Sequence, residues 1–311
     1  MSGQLASDFW DREVVEHRLV SWLEHQSVRF YVNELISGSI HQWPFDWFVA
    51  TLNGRRFRRA LSIGCGTGHI ERHLVRRGVC ERVDAFDASI GSIAIARAEA
   101  RNEGVADRIH YYLADFNEPV LPRRHYDLIV FHQSLHHVGK LEKLLSRALA
   151  ALKPDGLVYL DEYVGPSRYE WTDELIAAQR EVYATIEART SRELEYPVER
   201  YDPSEALRSS EIVPQLHRGF DVVQYRPYGG ALLAPVYPWI DWDRAEPGLA
   251  ERLIAAEKEL ALPPYYAIAL ATPKRGLRGL FARLRYFAEP KLRRLRVEVR
   301  RRVFRMQHAK F

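Results

Sequence analysis

The chain has only two cysteines, Cys65 and Cys80, among 311 residues. That is too few for a disulfide framework. It has no apolar run near the roughly 18–20 residues that span a bilayer. Its start, Met-Ser-Gly-Gln-Leu-Ala-Ser-Asp, lacks a basic segment followed by an apolar one, so no secretory signal is expected. There is no internal repeat and no low-complexity tract, which argues against a solenoid or a disordered scaffold. Together these absences point to a cytoplasmic globular protein. The remaining composition agrees, at 47% hydrophobic and 28% charged, in a chain long enough to bury a full α/β core.

The most informative stretch is Ala60-Leu-Ser-Ile-Gly-Cys-Gly-Thr-Gly-His69. Gly64, Gly66 and Gly68 follow a strand-like run and precede a helix-like one. Without Cβ atoms, such a turn lets a ligand approach the backbone and tolerates positive φ. Asp87 comes nineteen residues after Gly68, at the end of the apolar run Val83-Asp-Ala-Phe-Asp87. A carboxylate at that distance can take both hydroxyls of an adenosine ribose. The third glycine comes one residue earlier than in the dinucleotide pattern, whose turn receives a pyrophosphate. Cys65, inside the turn, is a small residue that fits there rather than a nucleophile.

The segment resembles the first motif of the class I S-adenosylmethionine-dependent methyltransferases, and the resemblance runs over most of the chain. It implies that the turn, with Gly64, Cys65, Gly66 and Gly68, borders the amino-acid end of the cofactor. It implies further that Asp87, followed by Ala88, holds the ribose. In Leu113-Ala-Asp-Phe116 the resemblance puts Asp115 at the adenine amine and Phe116 against the ring. His132 and Gln133 follow as cofactor-binding residues at the end of the fourth strand. Leu149-Ala-Ala-Leu-Lys-Pro-Asp-Gly-Leu157 resembles the helix and turn before the fifth strand. One position departs from the family. Ser62 stands where an acid commonly organises the ligand's ammonium, which leaves that contact to water or another residue.

Apolar patterning predicts strands near 60–64, 82–87, 109–114, 126–132, 156–163, 220–226 and 265–272, with helices between them, including 93–102, 141–152 and 173–190. Alternation of this kind gives a mostly parallel sheet with helices on both faces, and ligands bind beyond the carboxyl ends of its strands. The expected fold is therefore α/β and Rossmann-like, seven-stranded, with the last strand antiparallel. Residues 1–58 read as a helical cap or a lid. Residues 59–165 read as the cofactor core, 166–272 as substrate-cover insertions plus the last two strands, and 273–311 as a basic amphipathic tail.

Methyl transfer is an in-line displacement in which orientation supplies much of the rate, and a hydroxyl acceptor also benefits from a base. The loop His132-Gln-Ser-Leu-His136-His137 lies where that base belongs. In several O-methyltransferases a Leu-His pair at this point supplies it, and the match falls on His136; a purely structural role stays open. Glu162 is placed to orient or assist His136. His137, Tyr163, Tyr169 and Trp171 are the expected acceptor-binding residues. His132 and His136 share a helical spacing but have no third ligand at a readable distance, so no metal site is expected. Glu-Tyr-Val-Gly-Pro and the cover segments resemble a bacterial methyltransferase subgroup associated with glycan assembly. That implies O-methylation of a sugar, glycan or glycolipid-type acceptor. Methylation of another small metabolite at oxygen, nitrogen or carbon, nucleic-acid methylation, and a non-catalytic cofactor-binding regulator are the competing readings. Nucleic acid is disfavoured, because Phe131-His-Gln-Ser stands where base-amino methyltransferases carry Asn/Asp-Pro-Pro-Tyr/Phe.

The net charge of +4 conceals an asymmetry. From Ala271 onward there are 14 Lys/Arg and 2 Asp/Glu, a net of +12 against −8 for the rest. Two apolar stripes run through this tail, Leu277/Leu280/Phe281/Leu284/Phe287 and Leu292/Leu295/Val299/Val303, opposite its arginines. The pattern suits peripheral contact with an anionic membrane or a partner surface; docking on the acidic body, nucleic-acid binding and a disordered tail are the other readings. The full chain is expected to co-sediment with anionic vesicles and to lose that association as salt rises, with screening lengths of about 10 Å at 0.1 M. A chain of residues 1–272 is expected to stay in the supernatant. Identical behaviour of the two would assign the tail to the body.

Overall fold

The computed structural model describes residues 21–197, 202 and 204–275. The first part of the cap, the tail with both its stripes, and residues 198–201 and 203 lie outside the described residues. Among the described residues no helix is long and apolar enough to cross a membrane.

Two helices, α1 (Gln26–Ser37) and α2 (Pro44–Thr51), precede the sheet. The α/β body follows as β1 (Phe57–Ile63), α3 (His69–Arg76), β2 (Cys80–Asp87), α4 (Ile90–Asn102), β3 (Ile109–Leu113), β4 (Tyr126–His132), α5 (Leu141–Ala151) and β5 (Leu152–Tyr163). The chain continues through α6 (Asp173–Ala184), α7 (Ile212–Gly219), β6 (Phe220–Pro227), α8 (Leu233–Val236), α9 (Leu249–Glu259) and β7 (Tyr266–Pro273). The strand order is β3-β2-β1-β4-β5-β7-β6. The first five strands pair in parallel, while β7 runs antiparallel to both β5 and β6. The order reverses between β1 and β4, where a crevice opens beyond the carboxyl ends.

Alternation along the buried strands fills two cores. Ala60, Leu128, Val130 and Tyr159 face α1 to α4 and the cover, whereas Leu61, Ile63, Ile129 and Phe131 face α5 and α7. The N-terminal helices therefore pack on the sheet, with the Phe48 ring 4.5 Å from that of Tyr159. Trp22 reaches the carboxyl end and stacks on Tyr228 at 6.4 Å.

Among the boundaries that differ from the sequence expectation, three have a visible cause. β5 begins at Leu152 because Leu152 pairs with Tyr126, and the Lys-Pro-Asp-Gly segment is absorbed as an irregularity before Leu157 pairs with Leu128. α6 stops at Ala184, where the Thr185 hydroxyl donates to the Val182 carbonyl at 2.7 Å and β-branched residues follow. β7 runs one residue beyond the expected boundary at 272, and the Lys274 amide donates to the Gly219 carbonyl.

The cover is pinned by buried acids. Arg208 makes a two-pronged pair with Glu142 at 2.8 and 2.6 Å and also bonds Glu211, fixing residues 204–211 on α5. Glu257 of α9 accepts the amides of Gly230, Leu232 and Leu233 at 2.9–3.0 Å, holding the turn that follows Tyr228. Glu257→Ala leaves three buried donors unpaired. It is expected to cost about 2–4 kcal/mol by urea unfolding. Glu257→Gln should cost less, because its amide oxygen still accepts.

Candidate active site

The glycine turn is built as the spacing requires. Gly64, Gly66 and Gly68 have φ of +74°, +50° and +79°. A Cβ on Gly64 would lie 2.3 Å from Ser134 Cβ, and one on Gly68 would lie 2.4 Å from the Tyr111 hydroxyl. The turn is thus pressed between the β4 loop and β3. Gly66 differs, because a Cβ there would meet nothing within 4 Å. Its open side is where a ligand can lie on bare backbone.

Asp87 sits at the mouth of this cradle. One carboxylate oxygen accepts the Gly66 amide at 2.8 Å and the other the Ser89 amide at 2.9 Å. Carboxylate oxygens accept more than one bond each, so the group can still receive two vicinal hydroxyls. Leu113 pairs with Asp87 across the sheet. Leu113 is 55% exposed and Ile90 64% exposed. Phe116, half-buried on Phe86 at 5.9 Å, completes an apolar rim around the acid. Asp115 is exposed and accepts the Asn117 amide at 2.8 Å. Ala88 is half-buried between Asp87 and the buried Ser89. Open glycine backbone, a half-buried acid and an apolar rim fit a nucleoside joined to an amino acid, which is what S-adenosylmethionine presents. Cys65 is half-buried, and burial, followed by the charges of Glu71 and Asp87, pushes its thiol well above the usual range. Such a thiol is no nucleophile.

The second half of the site comes from the ends of β4 and β5. Glu162 is fully buried. Its Oε2 accepts the amides of Ser134 and Leu135 at 2.7 and 2.6 Å, and its Oε1 meets His136 Nδ1 in a short bond. Burial alone would lower the His136 pKa, but the Glu162 carboxylate, with Glu205 and Asp202 beyond it, holds it above the usual value. For Glu162, burial pushes up, and His136 and the two amides outweigh it downward. The pairing engages Nδ1 and leaves Nε2 as the ring nitrogen that Glu162 does not hold.

His137 faces the cover instead. Its Nδ1 lies 3.1 Å from the Ser204 hydroxyl and 3.5 Å from Asp202, and its ring is 4.0 Å from that of His136. Burial and the His136 charge lower its pKa. His136, His137 and Glu205 bring ligand atoms within 4.8 Å of one another, a cluster able to accept a metal ion that the spacing of His132 and His136 did not signal.

Gln133 has φ +49° and donates its amide to the Asp161 carbonyl at 2.8 Å. His132 Nε2 lies 3.8 Å from Asp161. Burial pushes the Asp161 carboxyl up; the His132 charge and the Tyr228 hydroxyl, which donates to it, oppose that. Tyr163 turns its hydroxyl back to the Pro166 carbonyl at 3.0 Å and its ring edge to His136 at 6.1 Å. Trp171 packs on Tyr196 and Tyr265 in an aromatic wall. Tyr169 is 84% exposed and stands apart from these groups. Ile90, Asp161 and Tyr228 join the site without having been singled out as site residues. Its place three residues beyond Asp87 was the available signal for Ile90.

Residues 60–156 match the family described as Methyltransferase domain. The ubiquinone/menaquinone biosynthesis C-methyltransferase UbiE of Pseudomonas paraeruginosa is 25% identical over 216 residues, covering 65% of this chain and 80% of that protein. The Azotobacter vinelandii UbiE is 26% identical over the same length, covering 65% and 81%. Among solved structures, geranyl diphosphate C-methyltransferase from Streptomyces coelicolor A3(2) superposes with TM-score 0.54 at 13% identity, covering 88% of this chain and 98% of that one. The [4+2]-cyclase SpnF superposes with TM-score 0.53 at 17% identity, covering 89% and 98%. These structural likenesses establish the Rossmann-like class I methyltransferase fold.

Asp87→Ala removes two charge-assisted acceptors, each worth about 1.5–3 kcal/mol. Calorimetry with S-adenosylhomocysteine is expected to show affinity weaker by at least about ten- to a hundredfold. Unchanged affinity would remove Asp87 from the ribose site.

Proposed function

We propose that this chain, an S-adenosylmethionine-dependent methyltransferase, methylates a small metabolite that carries an ionisable hydroxyl, with His136 as the base. The observation that carries this reading is the buried His136–Glu162 pair at the carboxyl ends of β4 and β5. Bound S-adenosylmethionine supplies an electrophilic methyl group. The chain supplies orientation and a place for the proton. Glu162 fixes the imidazole with Nδ1 bound, so Nε2 accepts the hydroxyl proton as the acceptor oxygen, or a carbon conjugated to it, becomes nucleophilic. The same base therefore serves O- and C-methylation.

The UbiE relatives are C-methyltransferases of ubiquinone and menaquinone biosynthesis by name. They support a small-metabolite acceptor rather than the sugar or glycolipid acceptor expected from the sequence. The His137, Ser204, Asp202 and Glu205 cluster gives the acceptor a polar wall, and Trp171 with Tyr196 and Tyr265 gives it an aromatic one. Labelled cofactor with fractionated extract, followed by mass analysis of what gains a methyl group, tests the acceptor class; a methylated saccharide would restore the glycan reading.

His136→Ala is expected to lower turnover by about 10²–10⁴ with affinity for S-adenosylhomocysteine preserved. Because only the neutral imidazole accepts a proton, wild-type turnover should rise with pH through a value above the ordinary histidine pKa. In Glu162→Gln the raising charge is gone and burial dominates, so the acid limb should move to lower pH while maximal turnover falls. Equal small effects of His136→Ala and His137→Ala would leave catalysis to orientation alone.

A further inference from the structure

Each acid around this site has hydrogen-bond partners, but one of them keeps a buried oxygen idle. Asp87 accepts two amides, Asp161 takes the Tyr228 hydroxyl, and Glu162 holds His136 and two amides. Glu71 is 1% exposed, and its Oε2 has no hydrogen-bond partner. In α3 it shares the core-facing stripe with Leu74 and Val75, at the i+3 and i+4 positions where an apolar residue is the rule.

The groups facing Glu71 come from every neighbouring element. They are Ser62 on β1, Cys65 in the glycine turn, Asp87 on β2, Tyr111 on β3, and Arg72 on its own helix. None gives it a dedicated cation. The Arg72 guanidinium is engaged by Glu103 at 2.7 Å and the Thr67 carbonyl at 2.7 Å. Tyr111 donates to the Gly68 carbonyl at 3.2 Å. A buried carboxylate with an idle oxygen is costly unless a cation arrives. Beside it, the open side of Gly66 leaves room for a ligand. The methionine end of S-adenosylmethionine brings one ammonium that must be desolvated there.

We infer that Glu71 holds the α-ammonium of the cofactor from beneath the glycine turn, supplying from α3 the negative charge that Ser62 does not supply from β1. The inference rests on the S-adenosylmethionine reading of the site. Burial, with the Asp87 charge adding to it, raises the Glu71 carboxyl to about 7, against the opposing pull of the Ser62 hydroxyl, its own amide and Arg72. Near neutral pH the free protein therefore holds Glu71 partly protonated, and an arriving ammonium displaces that proton.

Two ligands separate this role from the rest of the site. S-adenosylhomocysteine has the amino-acid end; 5′-methylthioadenosine keeps the nucleoside and the sulfur but lacks that end. Glu71→Gln is expected to weaken S-adenosylhomocysteine about ten- to a hundredfold by calorimetry and to leave 5′-methylthioadenosine unchanged. Ser62→Asp added to Glu71→Gln should recover most of the loss. Independently of any variant, calorimetry of the wild-type chain at pH 7, in buffers of different ionisation enthalpy, should show proton release with S-adenosylhomocysteine and none with 5′-methylthioadenosine. Equal proton counts for the two ligands, or undiminished S-adenosylhomocysteine affinity in Glu71→Gln, would overturn the inference. A wild-type chain that bound neither ligand would overturn the cofactor reading and this inference with it.

Discussion

The site depends on one fully buried carboxylate. Glu162 accepts the amides of Ser134 and Leu135, its own residue's neighbour Tyr163 at 3.0 Å, and the ring of His136. The loop after β4 has no strand partner for those amides, so without Glu162 two buried donors would stand unpaired. With it, Ser134 is pinned, and its hydroxyl donates to the Ile63 carbonyl at 2.8 Å. That placement presses Ser134 against Gly64, the one residue type that fits under it. The carboxylate on β5 thereby fixes both His136 and the floor of the glycine turn. Removing the acid costs geometry and charge together, which is why a buried, paired acid is tolerated at the end of a strand.

The same loop joins the site to its cover. The Leu207 amide donates to the His136 carbonyl at 2.9 Å, His137 meets Ser204 and Asp202, and Arg208 clamps Glu142 at the start of α5. The β1–β2–β3 half carries the open backbone and Asp87, while the β4–β5 half carries the His136–Glu162 pair and the contacts to the cover. A change in the cover can therefore alter acceptor choice while leaving the cofactor half intact. This division follows from the reversal of strand order between β1 and β4, which leaves one crevice with two unlike walls.

Much of this was legible in the sequence because its determinants are local. The Gly64–Gly68 spacing, the distance to Asp87 and the strand–helix alternation each follow from short-range rules, and the seven strands appear within a few residues of their expected places. The boundaries that moved did so for tertiary reasons. Leu152 joined β5 through its partner Tyr126, and α6 ended where Thr185 turned its hydroxyl onto the Val182 carbonyl. The pairing of His136 with Glu162 was expected from the strand-five position of Glu162, but the burial that strengthens it is not readable from spacing. Tyr163 reads as an acceptor contact, yet its hydroxyl is turned to Pro166. Glu71 is the hardest to see. On a helix wheel it looks like an ordinary first-turn acid, favourable to the helix dipole, and only the packing of α3 on the sheet carries it into the core.

Charge gives the last constraint. Glu71, Asp87, Asp161 and Glu162 all converge on the strand ends, and burial raises the carboxyl groups of Glu71 and Asp161. His136 and the backbone amides that Glu162 accepts hold its carboxyl below the usual value against burial, while Asp87 accepts two backbone amides. Asp161 is quieted by the Tyr228 hydroxyl, which Glu257 holds in place through the turn that follows it. Glu71 alone has neither device on its second oxygen. A site so arranged is best satisfied by a ligand with positive charge on one side and neutral polar hydroxyls on the other. On the proposed reading, that asymmetry would turn the ammonium of the cofactor toward Glu71 and its ribose toward Asp87.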